Sequence, residues 1–528
     1  MASLNSTSLF SILPCVISLH LLVLRRFEFD HLPLAIIALS SIVYAALVYY
    51  LHLGSATVIA FAFWGTLGLW TAAYRLFFHP LRNYPGPFFA KLWKWWSVKQ
   101  AWTTGLRFHR TQQQLQKQYG DYVRTGPREL TIFDVDAVPV IYGVQAKTSK
   151  GTFFDMMERT LHQTRDKQFH RQRRRIWDGA LKASLSDFAP RVEEFTDQLL
   201  QRLRNLNGEP LPLLDNMTYY SYDVMSLLAF QTPMGFVKGE QLQDAQEALD
   251  IMTGSLEVFG LLHHVPWLMQ MLFTLGSVAP GPLKTWTQWS VKHMQARLAI
   301  ENAKPDLVSR LADNTPKDAA GRALLYGESR LILGAGGETS STALTFIFVH
   351  LATHPRYIKA LREEFRENAS TYSCQRPLPL LDAIINESMR RSPSALLNSP
   401  RETPPEGIEI NGHYVPGGTI VQMPPFVLNH DPRHFVNPDD FIPERWLDRA
   451  DLVLRKDAFI PFLTGPYSCA GKNLAMMEMR SVIGRVINEF DVIMPKGFIA
   501  EEYWNAIKDK GMAGPPSQDV MFVKVVEE

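Results

Sequence analysis

From His31 to Tyr74 the chain runs for 44 residues without one Asp, Glu, Lys or Arg. Such a stretch has few folded options, because in lipid every backbone amide must be satisfied internally, and a single segment achieves that as a helix. Two runs of 19 residues, 33–51 and 56–74, each approach the ~20 residues that cover a bilayer core. Gly54 and Ser55 lie between them, so the pair reads as a helical hairpin. A weaker run, 9–24, contains Pro14 and His20 and reads either as a short span or as a helix lying in the interface. One to three spans are therefore expected within residues 1–78. Charge favours three: Arg25 and Arg26 follow the first run, Arg75, Arg82, Lys91, Lys94 and Lys99 follow the third, and both clusters belong on the cytosolic side. The N-terminus is then lumenal, where the sequon at Asn5 is either a glycosylation site or a chance match. Arg25 and Arg26 stand where a cleavage site would need small residues, so the segment reads as an uncleaved anchor in membrane lipid.

Residues 79–528 show no internal repeat and read as one body. The balance of 54 Lys and Arg against 52 Asp and Glu gives no field for gripping nucleic acid. Three cysteines, at 15, 374 and 469, cannot form a disulfide framework. Periodicity predicts helices over 192–206, 241–259, 329–352 and 379–391, with strands at 128–133 and 419–423 and a turn-rich stretch at 412–418. The expectation is a mostly α fold of the α+β kind with small β-sheets. The proline-rich segment 79–87 should be a stiff connector from membrane to body.

Four constellations carry chemistry. The first is Phe462–Gly471, F-L-T-G-P-Y-S-C-A-G, where Cys469 precedes a helical pattern over 472–490. A helix start lowers a thiol pKa, and a lone thiolate suits axial ligation of haem iron, there being no second Cys nearby to complete a zinc or iron–sulfur site. The second is A-G-G-E-T-S at 335–340, in a helix otherwise rich in Leu, Ile and Phe. Its glycines open either a groove beside Glu338 and Thr339, which could relay protons, or a close helix packing surface. The third places Glu387 and Arg390 three apart on one helix, with Arg445 further on; taken alone it reads as a surface ion pair. The fourth is a basic helix with His170 and Arg174 four apart, together with the later Arg401. These could neutralise cofactor carboxylates, while Arg171, Arg173 and Arg175 include a solvated face that could dock an acidic electron donor.

These residues resemble the cytochrome P450 family, whose haem-binding loop reads F-x-x-G-x-R-x-C-x-G. Phe462, Gly465, Cys469 and Gly471 are in register. Tyr467 stands where the family carries an arginine that pairs with a haem propionate, and it can donate one hydrogen bond without the charge-assisted part. The resemblance, which covers the chain from about residue 79, implies a triangular helical haem domain holding haem b, with Cys469 as axial ligand of the iron and Phe462 and Tyr467 in the haem loop. It makes Glu338 and Thr339 the acid–alcohol pair, Glu387, Arg390 and Arg445 a buried structural triad, and His170, Arg174 and Arg401 propionate partners. It further implies insertion of one atom of O2 into a small apolar substrate, with electrons from NADPH through a cytochrome P450 reductase. The style of the sequence is that of fungal microsomal members in secondary metabolism, anchored in the endoplasmic reticulum with the catalytic domain cytosolic. The segment after the E-x-x-R helix, Leu396, Leu397 and Asn398, would line the substrate pocket, or one leucine would be ordinary core. The rivals are a haem-thiolate isomerase or dehydratase without O2, and a non-enzymatic membrane scaffold.

Overall fold

The computed structural model describes residues 11–29, 32–300, 306–396 and 399–525. The predicted N-terminal residues around Asn5, and Leu397 and Asn398 of the predicted pocket, lie outside them.

The apolar N-terminal region forms helix α1 (Ile12–Leu19), continued by a wider turn over His20–Leu24, and helix α2 (Pro33–Ala73). α2 is interrupted at His52, whose φ of 66° is not helical. The Tyr44 hydroxyl lies 2.9 Å from that of Thr57. In a continuous helix those residues would stand about 20 Å apart, so the chain doubles back at His52, two residues before the predicted break. The His20 ring packs edge-on against Tyr74 and accepts a hydrogen bond from Trp70. The ends of α1 and of the second half of α2 therefore lie side by side. None of the most apolar window of residues 33–78 is buried.

The body is built on helix α3 (Lys167–Leu206), helix α4 (Leu213–Phe230), the central helix α5 (Ala319–Thr353), helix α6 (Pro379–Arg391) and helix α7 (Lys472–Glu489). α3 is capped by Asp166, whose carboxylate accepts from the amides of Gln168 and Phe169, and it passes through Pro190, so it starts 25 residues before the predicted 192. α5 is buried along most of its length and packs along α4. It starts ten residues earlier than periodicity predicts, because Asp318 caps it. α6 has the predicted bounds.

The five-stranded sheet comprises β1 (Tyr122–Gly126), β2 (Glu129–Ile132), β3 (Ser149–Lys150), β4 (Arg401–Glu402) and β5 (Ile420–Gln422), in the order β1-β2-β5-β4-β3. β2 pairs parallel with β5 and the other neighbours are antiparallel. The stretch 412–418, read as turn, instead supplies strand His413–Val415, which pairs with Ile408–Ile410 across Asn411–Gly412. Both residues there have positive φ, a geometry suited to a tight hairpin. Cys374 is buried within the main core.

Candidate active site

The loop before α7 is shaped by its backbone. Gly465 sits at φ 69°, and a Cβ there would meet the carbonyl oxygens of Tyr142 at 2.2 Å and Gly143 at 2.7 Å, so only glycine closes against the neighbouring chain. The amide of Ser468 donates to Gly465 O (3.1 Å) and that of Cys469 to Phe462 O (2.8 Å), folding the loop back on itself. Cys469 is thereby presented just before Gly471, the residue that precedes α7. Its side chain is exposed by surface area yet enclosed by protein on most sides, so it opens into an internal cleft and not onto the outer face.

Burial raises the Cys469 thiol pKa, while the amides of Gly471 and Lys472 and the charge of Arg174 pull it down. The helix start acts in the expected direction, but burial outweighs it. The net effect corrects the expectation of a thiol below its ordinary range.

Around Tyr467 the structure gathers most of the predicted cofactor residues and one that was not predicted. The His170 ring stands edge-on to Tyr467 at 4.6 Å between centroids, and the Arg401 guanidinium lies 4.8 Å from the same ring. Arg174 donates to the carbonyl of Ser468 and, at 2.7 Å, to Asp178. Lys150 is the unpredicted member, its ammonium 5.1 Å from the Tyr467 centroid. Lys150 and Arg401 hold no carboxylate among the described residues: their partners are main-chain carbonyls, the Ser399 hydroxyl and aromatic faces. Burial, with Lys150, Arg174 and Arg401 nearby, drives His170 down to about 3, so it is a neutral donor and not the cation that was expected. Of the three arginines expected to include a solvated face, Arg171 and Arg175 are exposed, whereas Arg173 is buried and bonded to Glu328, which also accepts from Trp177. Phe462 lies under the ammonium of Lys472, 5.7 Å from its centroid.

On α5 the two readings of the glycines divide by position. A Cβ on Gly336 would lie 2.2 Å from Met225 Sδ, and one on Gly337 would lie 2.9 Å from the Tyr222 ring, so these two serve packing against α4. Ala335 is exposed in the middle of a buried helix, and Glu338 and Thr339 are half-buried, so this face borders open space. Tyr222 donates to Glu338 Oε1 at 2.7 Å. Burial raises the Glu338 pKa, opposed by Tyr222 and by the charge of Lys510. Thr339 donates back to Ala335 O at 2.7 Å.

Glu387 accepts from both Arg390 (2.9 Å) and Arg445 (3.0 Å), and further from Trp446 and the amide of Ile442, all three triad side chains being fully buried. Leu396 is 3% exposed and belongs to the main core. A separate cleft of about 400 Å³ lies between Arg391, His350 and Trp504 and contains none of these site residues.

One further carboxylate escaped the sequence reading. Glu478, fewer than two turns into α7, is fully buried with no hydrogen-bond partner on either oxygen among the described residues, and burial lifts it to about 8. Ser340 draws it down without reaching bonding geometry.

The donor set is one enclosed thiol, a ring of cations short of carboxylates and a small-residue face on α5. It suits a group that carries both a thiophilic metal and its own carboxylates. Comparison with known proteins agrees. Residues 85–503 match the family model for cytochrome P450. A cytochrome P450 monooxygenase of Eupenicillium brefeldianum is 36% identical over 80% of this chain and 87% of its own length. Another from Penicillium fellutanum is 30% identical over 96% and 93%, and the tryprostatin B 6-hydroxylase of Neosartorya fischeri is 33% identical over 82% and 80%. The chain belongs to the cytochrome P450 family.

Proposed function

We propose that the chain is a membrane-anchored monooxygenase that places one atom of O2 into a small apolar molecule and releases the other as water. The balance needs two electrons and two protons. The electrons come from NADPH through a cytochrome P450 reductase, for which the exposed Arg171 and Arg175 offer a basic docking face. The cofactor is haem b, and it supplies the oxygen chemistry when bound, tuned by a thiolate ligand. Cys469 is that ligand; Phe462 and Tyr467 flank the loop, and His170, Arg174 and Arg401 face the carboxylates. The observation that carries the reading is a single thiol opening into an internal cleft, held there by a loop that tolerates only glycine at 465.

Glu338 and Thr339 are assigned the protons. Burial holds Glu338 toward its protonated form, and Tyr222 orients it. The Thr339 hydroxyl, bonded to Ala335 O, can turn to donate into the open space on that face. The triad Glu387, Arg390 and Arg445 is assigned to folding, and Leu396 to the core that supports the pocket segment. Leu397 and Asn398 remain the proposed pocket contacts, consistent with a mainly hydrophobic substrate. The fungal relatives support a place in secondary-metabolite biosynthesis, and the relative named as a hydroxylase supports hydroxylation as the reaction type. The endoplasmic reticulum membrane, with the body on the cytosolic side, is the proposed location.

The test is spectral. The reduced carbon monoxide complex of the wild-type chain should show the red-shifted Soret band of a thiolate ligand, and Cys469→Ala should lose both band and turnover. Thr339→Ala should keep near-normal haem while diverting NADPH electrons to peroxide. Turnover in the Cys469 variant removes the haem-thiolate reading, and unchanged coupling removes the role of Thr339.

A further inference from the structure

Where the membrane anchor meets the body, basic side chains gather without an anion. Arg124 on β1 is fully buried, yet its guanidinium donates only to main-chain oxygens, Arg75 O at 2.9 Å and Pro127 O at 2.7 Å, and its Nε has no partner among the described residues. Arg75, just past the end of α2, donates to the carbonyl of Leu92 and finds no other acceptor among the described residues. The His79 ring accepts from the amide of Leu81 at Nδ1 (3.0 Å), which leaves the proton of the neutral imidazole on Nε2, where no described residue accepts it. Burial and the charges of Arg124, Arg75 and Arg25 press His79 down to about 3, and burial with Arg75 nearby brings Arg124 to about 10. Lys91, in the short helix Phe88–Leu92, is lowered by burial and by the charge of Arg124 as well. Among the described residues no carboxylate pairs with Arg75, His79 or Arg124.

Part of this has a structural reason. By donating to Arg75 O, Arg124 satisfies a carbonyl that the end of the membrane helix leaves open. That does not account for Arg75, His79 and Lys91, since neighbouring positive groups drawn out of water are costly unless something negative meets them. Their surroundings point to what meets them. Phe77, Phe78, Phe88, Phe89 and Trp93 flank these residues in the chain and are all exposed, the composition of a surface at headgroup depth. A free phosphate ion would use the cations and leave the aromatic side chains in water, whereas a phospholipid uses both. A choline headgroup would bring its own cation into the cluster, so the headgroup that fits carries net negative charge. We propose that Arg75, His79 and Lys91 hold the phosphate of one anionic phospholipid in the leaflet that faces the body, with Arg124 holding the Arg75 backbone behind them and the exposed aromatics lying along the acyl chains. The proposal rests on the membrane anchor and not on the haem.

The experiment counts bound lipid. The full chain is reconstituted in nanodiscs of phosphatidylcholine doped with phosphatidylserine, released inside a mass spectrometer and read for the lipid it retains. The wild type should keep one phosphatidylserine, and phosphatidylcholine should not replace it. One basic side chain beside an anionic headgroup changes association roughly fivefold, so Arg75→Gln and Lys91→Gln should each weaken retention by about that factor. Arg75→Lys keeps the charge and should stay near wild type. Arg82→Gln and Lys99→Gln remove the same charge from exposed positions in the same segment and should leave retention unchanged. Lys91→Gln carries the test should Arg75→Gln fail to fold. Equal weakening in all four glutamine variants would mean diffuse attraction to the membrane surface and would overturn the site. Retention that does not distinguish phosphatidylserine from phosphatidylcholine overturns it too, as does displacement of the lipid by inorganic phosphate, which would make a free anion the occupant.

Discussion

Glu478 shows how one side chain can set the pH dependence of the whole. Its carboxyl is fully buried on α7 with neither oxygen bonded, and it titrates near 8 in place of the ordinary 4.5. The folded state then binds a proton that the unfolded state has released, so the contribution to stability is intact below about 4.5 and declines as pH rises through 8. Glu478→Gln keeps the shape and removes the titration. Thermal melts from pH 5 to pH 8.5 should show the wild type losing ground to Glu478→Gln as pH rises; a constant gap would mean that the carboxyl is ionised at no cost. At this scale the sequence was legible where a motif surrounds the residue. Cys469, with glycines on both sides and a helix after it, announced its place. Lys150 and Glu478 did not, since a lysine after a serine and a glutamate on an amphipathic helix read as solvent-facing until the cross-strand register and the contact with α5 are known. Which of the arginines at 171, 173 and 175 turns inward was not legible for the same reason: Arg173 is drawn in by Glu328, 155 residues away.

Among the elements, the pairing of α5 with α4 does most to shape the site. The glycines of α5 cost helix propensity, about 1 kcal/mol each relative to alanine, and two of them recover it by letting Met225 and Tyr222 come close. Gly336→Ala puts a methyl group 2.2 Å from Met225 Sδ, so Met225 must move. Overpacking of that kind costs about 1–3 kcal/mol, more than the propensity gained. The fold should therefore be destabilised by roughly 1–2 kcal/mol in chemical denaturation. The sharper expectation is non-additivity: Met225→Ala leaves a cavity that the new methyl group partly fills, so the double variant should be more stable than the sum of the two single losses. Strict additivity would mean that the glycine serves the open face instead. Periodicity found these helices but misplaced their starts, because Asp166 and Asp318 cap earlier turns and the helix around Pro190 is held by its neighbours on both sides. Short strands were harder: β3 and β4 have two residues each, too few for any alternation to register.

For the whole molecule, the question is how the anchor and the body share one membrane. Arg25, just past α1, lies over the Tyr74 ring near the end of α2, and Glu28 in the same connector pairs with Arg128 at 2.8 Å and Arg165 at 2.6 Å on the body. The end of α1, the end of α2 and the body are thus on one side. With the reversal at His52, the chain starts on the opposite side if α1 and both halves of α2 cross the bilayer. The body's exposed aromatics Phe88, Phe89, Trp93, Trp95 and Trp102 follow within about 30 residues of the last apolar turn, composition suited to the membrane interface. The expected topology is a lumenal N-terminus, three crossings and a cytosolic body. In sealed microsomes an epitope tag at residue 1 should resist added protease while an epitope at the C-terminus is removed, and detergent should expose both. Asn5→Gln should abolish any glycan-dependent shift in gel mobility without altering protection. A tag that is digested before detergent is added would leave two crossings, with α1 lying along the cytosolic interface where the ion pairs of Glu28 also permit it.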